Sequence, residues 1–419
     1  MRPEEIIRGA RRYLGDPRVV GVAGALPRTA AVLGRGKLRG TPVGYAPVKV
    51  SPGLVAQMML DEVLISAMRD PKLFPRGDDY ERAGEEIRDA YKMWSERGWL
   101  SDPSSYHVEP PTPAPVAVTR ERALDQRFEH VAFASAYAPH DGEPGAVRWE
   151  GFALNRVAHA YVLRHPEPGR PWLVCLHGFG MGRPLVDLRA FRASQLHSQL
   201  GLNVAAVVLP MHGPRQEPGT SRGEGFMSIR LLDSVHGMAQ AASDARSVIR
   251  WIRSAEPGAA VGVYGVSLGG YVTALVASLE TGLACAIAGI PATDIPGLYR
   301  RHSPAHVRRR AYETGALGPD ADAVHSVVSP LVLEPKVARD RRYIFAGVGD
   351  RMSTAGQARR LWEHWDRPRI EWYPGGHIGF FFAGSVQRFV LEALSESGLA
   401  PDEGGGGAAG ASLSGKAAL

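Results

Sequence analysis

The chain has 419 residues, 44% of them hydrophobic and 22% charged, with a formal net charge of +6. That apolar share over that length buries a large core, which excludes disorder for most of the chain and allows one decorated catalytic domain or two domains. Residues 1–50 hold ten Lys or Arg against three acids, so the basic excess is an N-terminal arm. Lacking interleaved aromatics and any recognition motif, it reads as a solvated segment and not as a nucleic-acid binder, with weak contact to an anionic membrane surface as its other use.

The opening MRPEEIIRGARRYLG scatters its charges and has no uninterrupted apolar run. It matches neither a secretory signal nor a membrane span, and a cytoplasmic protein is expected. Residues 1–125 read as a helical, basic extension ending in a linker. Within it LVAQMMLDEVLISAM (54–68) has apolar residues at helical spacing with acids on the other face, and it is expected to pack on the next domain. EEIRDAYKMW forms a second helix after the acidic turn GDDYE, and the proline-rich VEPPTPAPVAV is the linker.

Residues 126–398 alternate strand and helix. FEHVAFASAY and VAHAYVLRH read as two opening strands, antiparallel to each other; WLVCLHG, NVAAVVLP, VGVYGV, LACAIAGI, RYIFAGV and IEWYP follow as six short apolar strands bounded by turn residues. One helix begins at Pro184 and stops at Gly201, and another carries Leu231, Val235, Met238, Ala242, Ala245, Ile249 and Ile252 as one apolar stripe. Such alternation predicts an α/β fold, an eight-stranded and mostly parallel sheet with helices on both faces. Residues 399–419 form a glycine-rich tail of low complexity, expected to be disordered. Cys175 and Cys285 lie in apolar runs without metal-ligand spacing and read as small core residues of a reducing compartment.

VYGVSLGGY places Ser267 between two glycines, on a turn from the strand Val261–Val266 into a helix starting at Leu268. Glycines at 265 and 269 leave room for a crowded, strained turn that exposes the hydroxyl at the carboxyl edge of the sheet, where open α/β sheets bind ligands. A serine hydroxyl is a weak nucleophile and needs a base oriented by a third group. His377, in the loop of IEWYPGGHIGFFF, is the candidate base; His325 and His364 read as surface residues. Asp350, ending the strand of RYIFAGVGDRMS, is the candidate acid, with Asp294 of GIPATDIPGL as its rival or as a helix cap. Acyl transfer also needs donors for the developing oxyanion. LVCLHGFGMGRP offers the N–H of Phe179, and the N–H of Leu268 is the second donor; His177 and Gly178 of that loop are candidate substrate-binding residues, with His177 read otherwise as a loop-ordering residue.

HGFG after the third strand, GVSLGG after the fifth, GD after the seventh and GGH after the eighth together resemble the α/β-hydrolase fold family over residues 128 to 397. The resemblance implies a Ser-His-Asp triad, no metal, no organic cofactor, and a cap after the sixth strand, here about residues 291–341, with a basic set of Arg300, Arg301, Arg308, Arg309 and Arg310. LPMHGPR, with the SLGG and GGH elements, is similar to a branch described as α/β-hydrolase domain-containing protein 18. His212 and Arg215 in that stretch are expected at the site's rim, either binding a substrate carboxylate or phosphate or ordering a long loop. The resulting expectation is a serine hydrolase acting on small acyl esters. A peptidase or acyltransferase uses the same machinery, and a non-catalytic scaffold remains as a further reading. YGVSLGGY also reads as a dinucleotide-binding G-x-x-x-G-G, but that loop belongs after a fold's first strand.

Overall fold

The computed structural model describes residues 24, 25, 27–31, 50–68, 75, 77–220, 223–228 and 230–400; most of the basic arm, and the tail from residue 401, lie outside the described residues. Helices α1 (Pro52–Met68) and α2 (Asp79–Glu96) precede the sheet. The strands are β1 (Val116–Ala123), β2 (Gln126–Ala134), β3 (Val157–Leu163), β4 (Trp172–Leu176), β5 (Asn203–Val208), β6 (Val261–Val266), β7 (Cys285–Gly289), β8 (Arg342–Gly347) and β9 (Arg369–Tyr373). Helix α3 (Ala146–Glu150) follows β2, α4 (Pro184–Ala190) and α5 (Ala193–Leu200) follow β4, α6 (Leu231–Ala255) follows β5, and α7 (Leu268–Leu279) follows β6. Then α8 (Ile295–His302), α9 (Ala305–Thr314) and α10 (Pro319–His325) separate β7 from β8, α11 (Ala355–His364) separates β8 from β9, and α12 (Gly384–Glu396) comes last.

The sheet runs in the order β1-β2-β3-β5-β4-β6-β7-β8-β9. Pairings from β1 through β3 to β5 are antiparallel, and all those from β5 to β9 are parallel. Nine strands stand where eight were expected. The extra one is β1, whose residues 117–122 are all exposed. An edge strand that covers no core carries no apolar alternation, so VAVTRERA looked like the end of a linker.

The parallel strands read as unbroken apolar runs because both their faces are covered. Trp172, Val174 and Leu176 of β4 face a core built with α2, α6, α7 and α11, whereas Leu173 and Cys175 face one built with α4, α5 and α12. Cys175 and Cys285 are free thiols in that second core. The whole stripe from Leu231 to Ile252 is buried. The helix expected from Pro184 to Gly201 is two helices, broken where Arg192 takes φ 51°. The break follows Phe191, whose buried ring meets Tyr264 edge-on at 5.0 Å.

The segment ahead of the sheet is part of the core and not an appendage. Trp94 of α2 is fully buried, packs edge-on against Trp99 at 5.4 Å and stacks with Tyr106 at 5.9 Å, within the same cluster as β4 and α6. Leu399, counted with the tail on sequence, is buried in the second core. No described helix is long and apolar enough to cross a membrane.

Candidate active site

Four loops meet at the carboxyl ends of β4, β6, β8 and β9. Register pairs Leu176 with Gly265 and Gly347 with Tyr373, so each pair of loops leaves the sheet at one level. After β6 the chain turns at Ser267 with φ 57° and ψ −115°, a backbone that costs a non-glycine residue about 1–3 kcal/mol and persists where neighbours enforce it. The enforcement is visible. A Cβ on Gly265 would stand 2.1 Å from the Gly269 carbonyl oxygen, and one on Gly269 only 1.8 Å from that of Leu176, so both positions must be glycine. The Ser267 N–H donates to the Gly289 carbonyl at 2.9 Å, and the side chain is left half-buried at the head of α7.

His377 Nε2 stands 3.0 Å from Ser267 Oγ, and its Nδ1 stands 2.7 Å from Asp350 Oδ2. The other carboxylate oxygen, Oδ1, accepts the N–H groups of Met352 (2.8 Å) and Ser353 (2.9 Å), which hold it in place. An ionised carboxylate only accepts, so Nδ1 carries the proton and Nε2 is free to accept from the serine hydroxyl. Both His377 and Asp350 are buried. Burial alone would lower the imidazole's pKa; the carboxylates of Asp350 and Asp61 outweigh it and hold the pKa above the ordinary value. Asp294 is elsewhere. It caps α8 by accepting from the Gly297 N–H at 2.8 Å and pairs with Arg360 at 2.9 Å.

After β4, Gly178 brings the chain against the elbow, where a Cβ would meet that of Ser267 at 3.5 Å. The N–H groups of Phe179 and Leu268 take no backbone acceptor among the described residues, as any first-turn or loop N–H can. His177 is buried with both nitrogens used, Nε2 accepting from the Leu209 N–H at 3.0 Å and Nδ1 donating to the Gly178 carbonyl at 2.8 Å. Burial, with Arg215 nearby, takes its pKa down to about 4 against the support of that carbonyl, so it stays neutral and orders the loop.

The structure overturns the placement of His212 and Arg215 at the rim. Arg215 is fully buried, paired with Asp244 at 2.8 Å and donating to the carbonyls of Val208 (3.0 Å) and Asn155 (2.8 Å). His212 is buried behind the Phe179 loop, its Nδ1 donating to the Pro210 carbonyl at 2.7 Å and its ring edge-on to Phe179 at 5.7 Å. Both residues order the long loop after β5. His325 is also buried and not on the surface, while His364 is partly covered and bonds the Leu333 carbonyl. Of the arginines between β7 and β8, Arg300 pairs with Asp322 and Arg310 with Glu81 of α2, so much of that positive charge is neutralised within the fold. Among the described residues no group of three or more His, Cys, Asp or Glu is arranged to hold a metal ion.

The helix α1 was expected to pack on the next domain, but the contact of its Gln57 and Asp61 with the site loops was missed on sequence. Asp61 Oδ2 accepts the backbone N–H groups of Arg351 (3.0 Å) and His377 (2.8 Å), and Gln57 Oε1 accepts that of Gly376 (2.9 Å). An acid at helical spacing ordinarily marks a solvated face, and no local signal separates Asp61 from that case.

Two relatives cover most of the chain. "Uncharacterized protein MT2702" of Mycobacterium tuberculosis (strain CDC 1551 / Oshkosh) is 44% identical over 347 residues, 83% of each chain, and "Uncharacterized protein Rv2627c" of strain ATCC 25618 / H37Rv is likewise 44% identical over 347 residues, 83% of each. The chain belongs to their family. No family model matches. Among solved structures, acetyl xylan esterase 1 from Thermoanaerobacterium sp. JW/SL YS485 is similar at TM-score 0.43 and 16% identity, covering 71% of this chain and 93% of that one. The acetyl xylan esterase from Paenibacillus sp. R4 is similar at TM-score 0.43 and 17% identity, covering 70% and 99%. These scores are low, and the assignment of this family member to the α/β-hydrolase fold stands on its own strand order and on the elbow after β6.

Proposed function

We propose that the chain is a serine hydrolase that cleaves carboxylic esters through a covalent acyl-enzyme. The observation that carries the reading is the hydrogen-bonded line from Ser267 Oγ through the His377 imidazole to Asp350, 3.0 and 2.7 Å long, on a strained elbow. In this reading Ser267 Oγ attacks the ester carbonyl as His377 Nε2 takes its proton. Asp350 holds the imidazole's orientation and stabilises the imidazolium, and the N–H groups of Phe179 and Leu268 receive the oxyanion, each worth about 3 kcal/mol. The imidazolium then protonates the leaving alcohol. Water, activated by the same nitrogen, releases the acid and restores Ser267.

Peptide or thioester substrates, or an acceptor other than water, would use the same groups. The likeness of LPMHGPR to the α/β-hydrolase domain-containing protein 18 branch belongs to this proposal as its finer form. Against a dinucleotide-binding loop stands the position of GVSLGG after the sixth strand and not the first.

A panel of p-nitrophenyl esters of increasing acyl length tests the reading. The wild type is expected to turn over at least one with an initial burst of p-nitrophenol, and Ser267→Ala to lose both burst and turnover. Equal rates for the two proteins would end the proposal. Because the base must be neutral and its pKa is raised, the acid limb of turnover is expected above the ordinary imidazole value of about 6.5, with rate lost as pH falls through it.

A further inference from the structure

Helix α1 lies outside the strand-and-helix alternation that builds the hydrolase fold, yet it touches the proposed acid and base loops together. Asp61 is fully buried, and its Oδ2 accepts two backbone N–H groups, one from Arg351, the residue after the acid, and one from the base His377 itself. Gln57, one turn earlier, accepts the N–H of Gly376. The loops are shaped to receive the helix. A Cβ on Gly349 would stand 2.5 Å from Leu54, one on Gly376 2.9 Å from Asp61 Oδ2, and one on Gly379 2.2 Å from Gln57 Oε1. Glu62 then clamps the side chain of Arg351 at 3.0 Å from one carboxylate oxygen and takes Arg28 at 2.7 Å on the other. Resting on the serine-hydrolase reading, we infer that Asp61 is a positioning residue of the active site, one carboxylate oxygen fixing the acid and base loops against each other, so that α1 is part of the machinery.

The two loops leave adjacent strands, and the His377–Asp350 bond closes only if both keep their height above the sheet. A single buried oxygen bonded to both backbones sets that height, which packing of apolar side chains alone does with less directional precision. Among the described residues Asp61 Oδ1, which is buried, has no hydrogen-bond partner, so the carboxylate is held there at an electrostatic cost that ordinary helix packing does not require.

Its charge has a second effect. Asp61 and Asp350 flank one imidazole, and burial first, then the neighbouring Asp350, lifts Asp61 to about 6. Both carboxylates favour imidazolium, the species formed as Ser267 loses its proton. The other charged or titratable groups facing this pocket are Arg351 after β8, Tyr373 on β9, Arg301 on α8, and Glu62 on α1 itself.

The test compares full-length wild type, Asp61→Asn and Gln57→Leu, with p-nitrophenyl acetate as substrate, a fluorophosphonate as active-site label, and a melting curve for each protein. Asp61→Asn keeps the shape and removes the charge. It is expected to lower kcat about tenfold to a hundredfold with KM unchanged, and to move the acid limb of turnover and of labelling to lower pH, because His377 loses one of its two carboxylates. Gln57→Leu removes one tether and no charge, so kcat falls while the limb stays; it carries the test alone should Asp61→Asn not fold. Wild-type kcat in either variant, an unmoved limb in Asp61→Asn, or a KM that rises in step with the fall in kcat overturns the inference. A wild type that neither labels nor turns over more than Ser267→Ala overturns the hydrolase reading instead, and the inference with it.

Discussion

Two carboxylates, Asp350 and Asp294, follow neighbouring strands, and their surroundings separate their roles. Asp350 receives two backbone N–H groups on one oxygen and His377 on the other, whereas Asp294 spends its oxygens on the first turn of α8 and on Arg360. Asp350→Asn is therefore expected to cost about 10⁴-fold in kcat by leaving the imidazole in the wrong tautomer. Asp294→Asn should leave kcat unchanged and cost about 1 kcal/mol in a urea melt as a weakened cap and ion pair. Arg215 makes the opposite point about sequence. In LPMHGPR it looks like an anion clamp, but Asp244 of α6, 29 positions further along the chain, claims it inside the core. Arg215→Met is expected to lower unfolding free energy by about 3–5 kcal/mol, because Asp244 is left buried and unpaired, with KM for any ester unchanged. A variant that keeps full stability and loses substrate affinity would return Arg215 to the rim.

At the scale of elements, all eight strands marked on sequence are present, and the site's four loops sit where apolar runs end in glycine. They were legible because a strand buried on both faces writes a continuous apolar run, and because Gly265 and Gly269 are forced by backbone contacts shorter than any side chain allows. What stayed hidden has physical causes. β1 exposes its interior positions, so no alternation marks it. Arg192 breaks α4 from α5 without glycine or proline, directly after the buried Phe191. Asp61 reads as a solvent-facing acid, since only the folded chain brings residues 351 and 377 onto α1. The loop after β4 depends on a similar contact: Asp187 Oδ1 accepts the Gly182 N–H at 3.0 Å, and burial, against that bond, raises its pKa to about 7.

For the whole molecule, buried imidazoles set the response to acid. Burial holds His177 at about 4, His212 at about 3 and His325 at about 4, each against an ordinary value of 6.5. Between those values the unfolded chain binds more protons than the folded one, so the stability these groups contribute is present above about 6.5 and is lost as pH falls toward 4 and 3. Asp61 and Asp187, raised to about 6 and about 7, act in the other direction, since the folded state protonates them first as pH falls. Taken together the three imidazoles outweigh the two carboxyls, and His107 and His159, which burial also lowers to about 4, add to the imidazole side. The melting temperature is accordingly expected to drop between about pH 6.5 and pH 4, and scanning calorimetry across that range checks it; a flat or rising profile would contradict this balance of buried groups.

The proposed hydrolysis rests on one oxygen atom, Ser267 Oγ, as nucleophile. Peptide mapping by mass spectrometry after treatment with a fluorophosphonate tests this directly. A single adduct on Ser267, absent from Ser267→Ala and slowed in Asp350→Asn, is the expected result; an adduct on another residue, or equal labelling of wild type and Ser267→Ala, contradicts it.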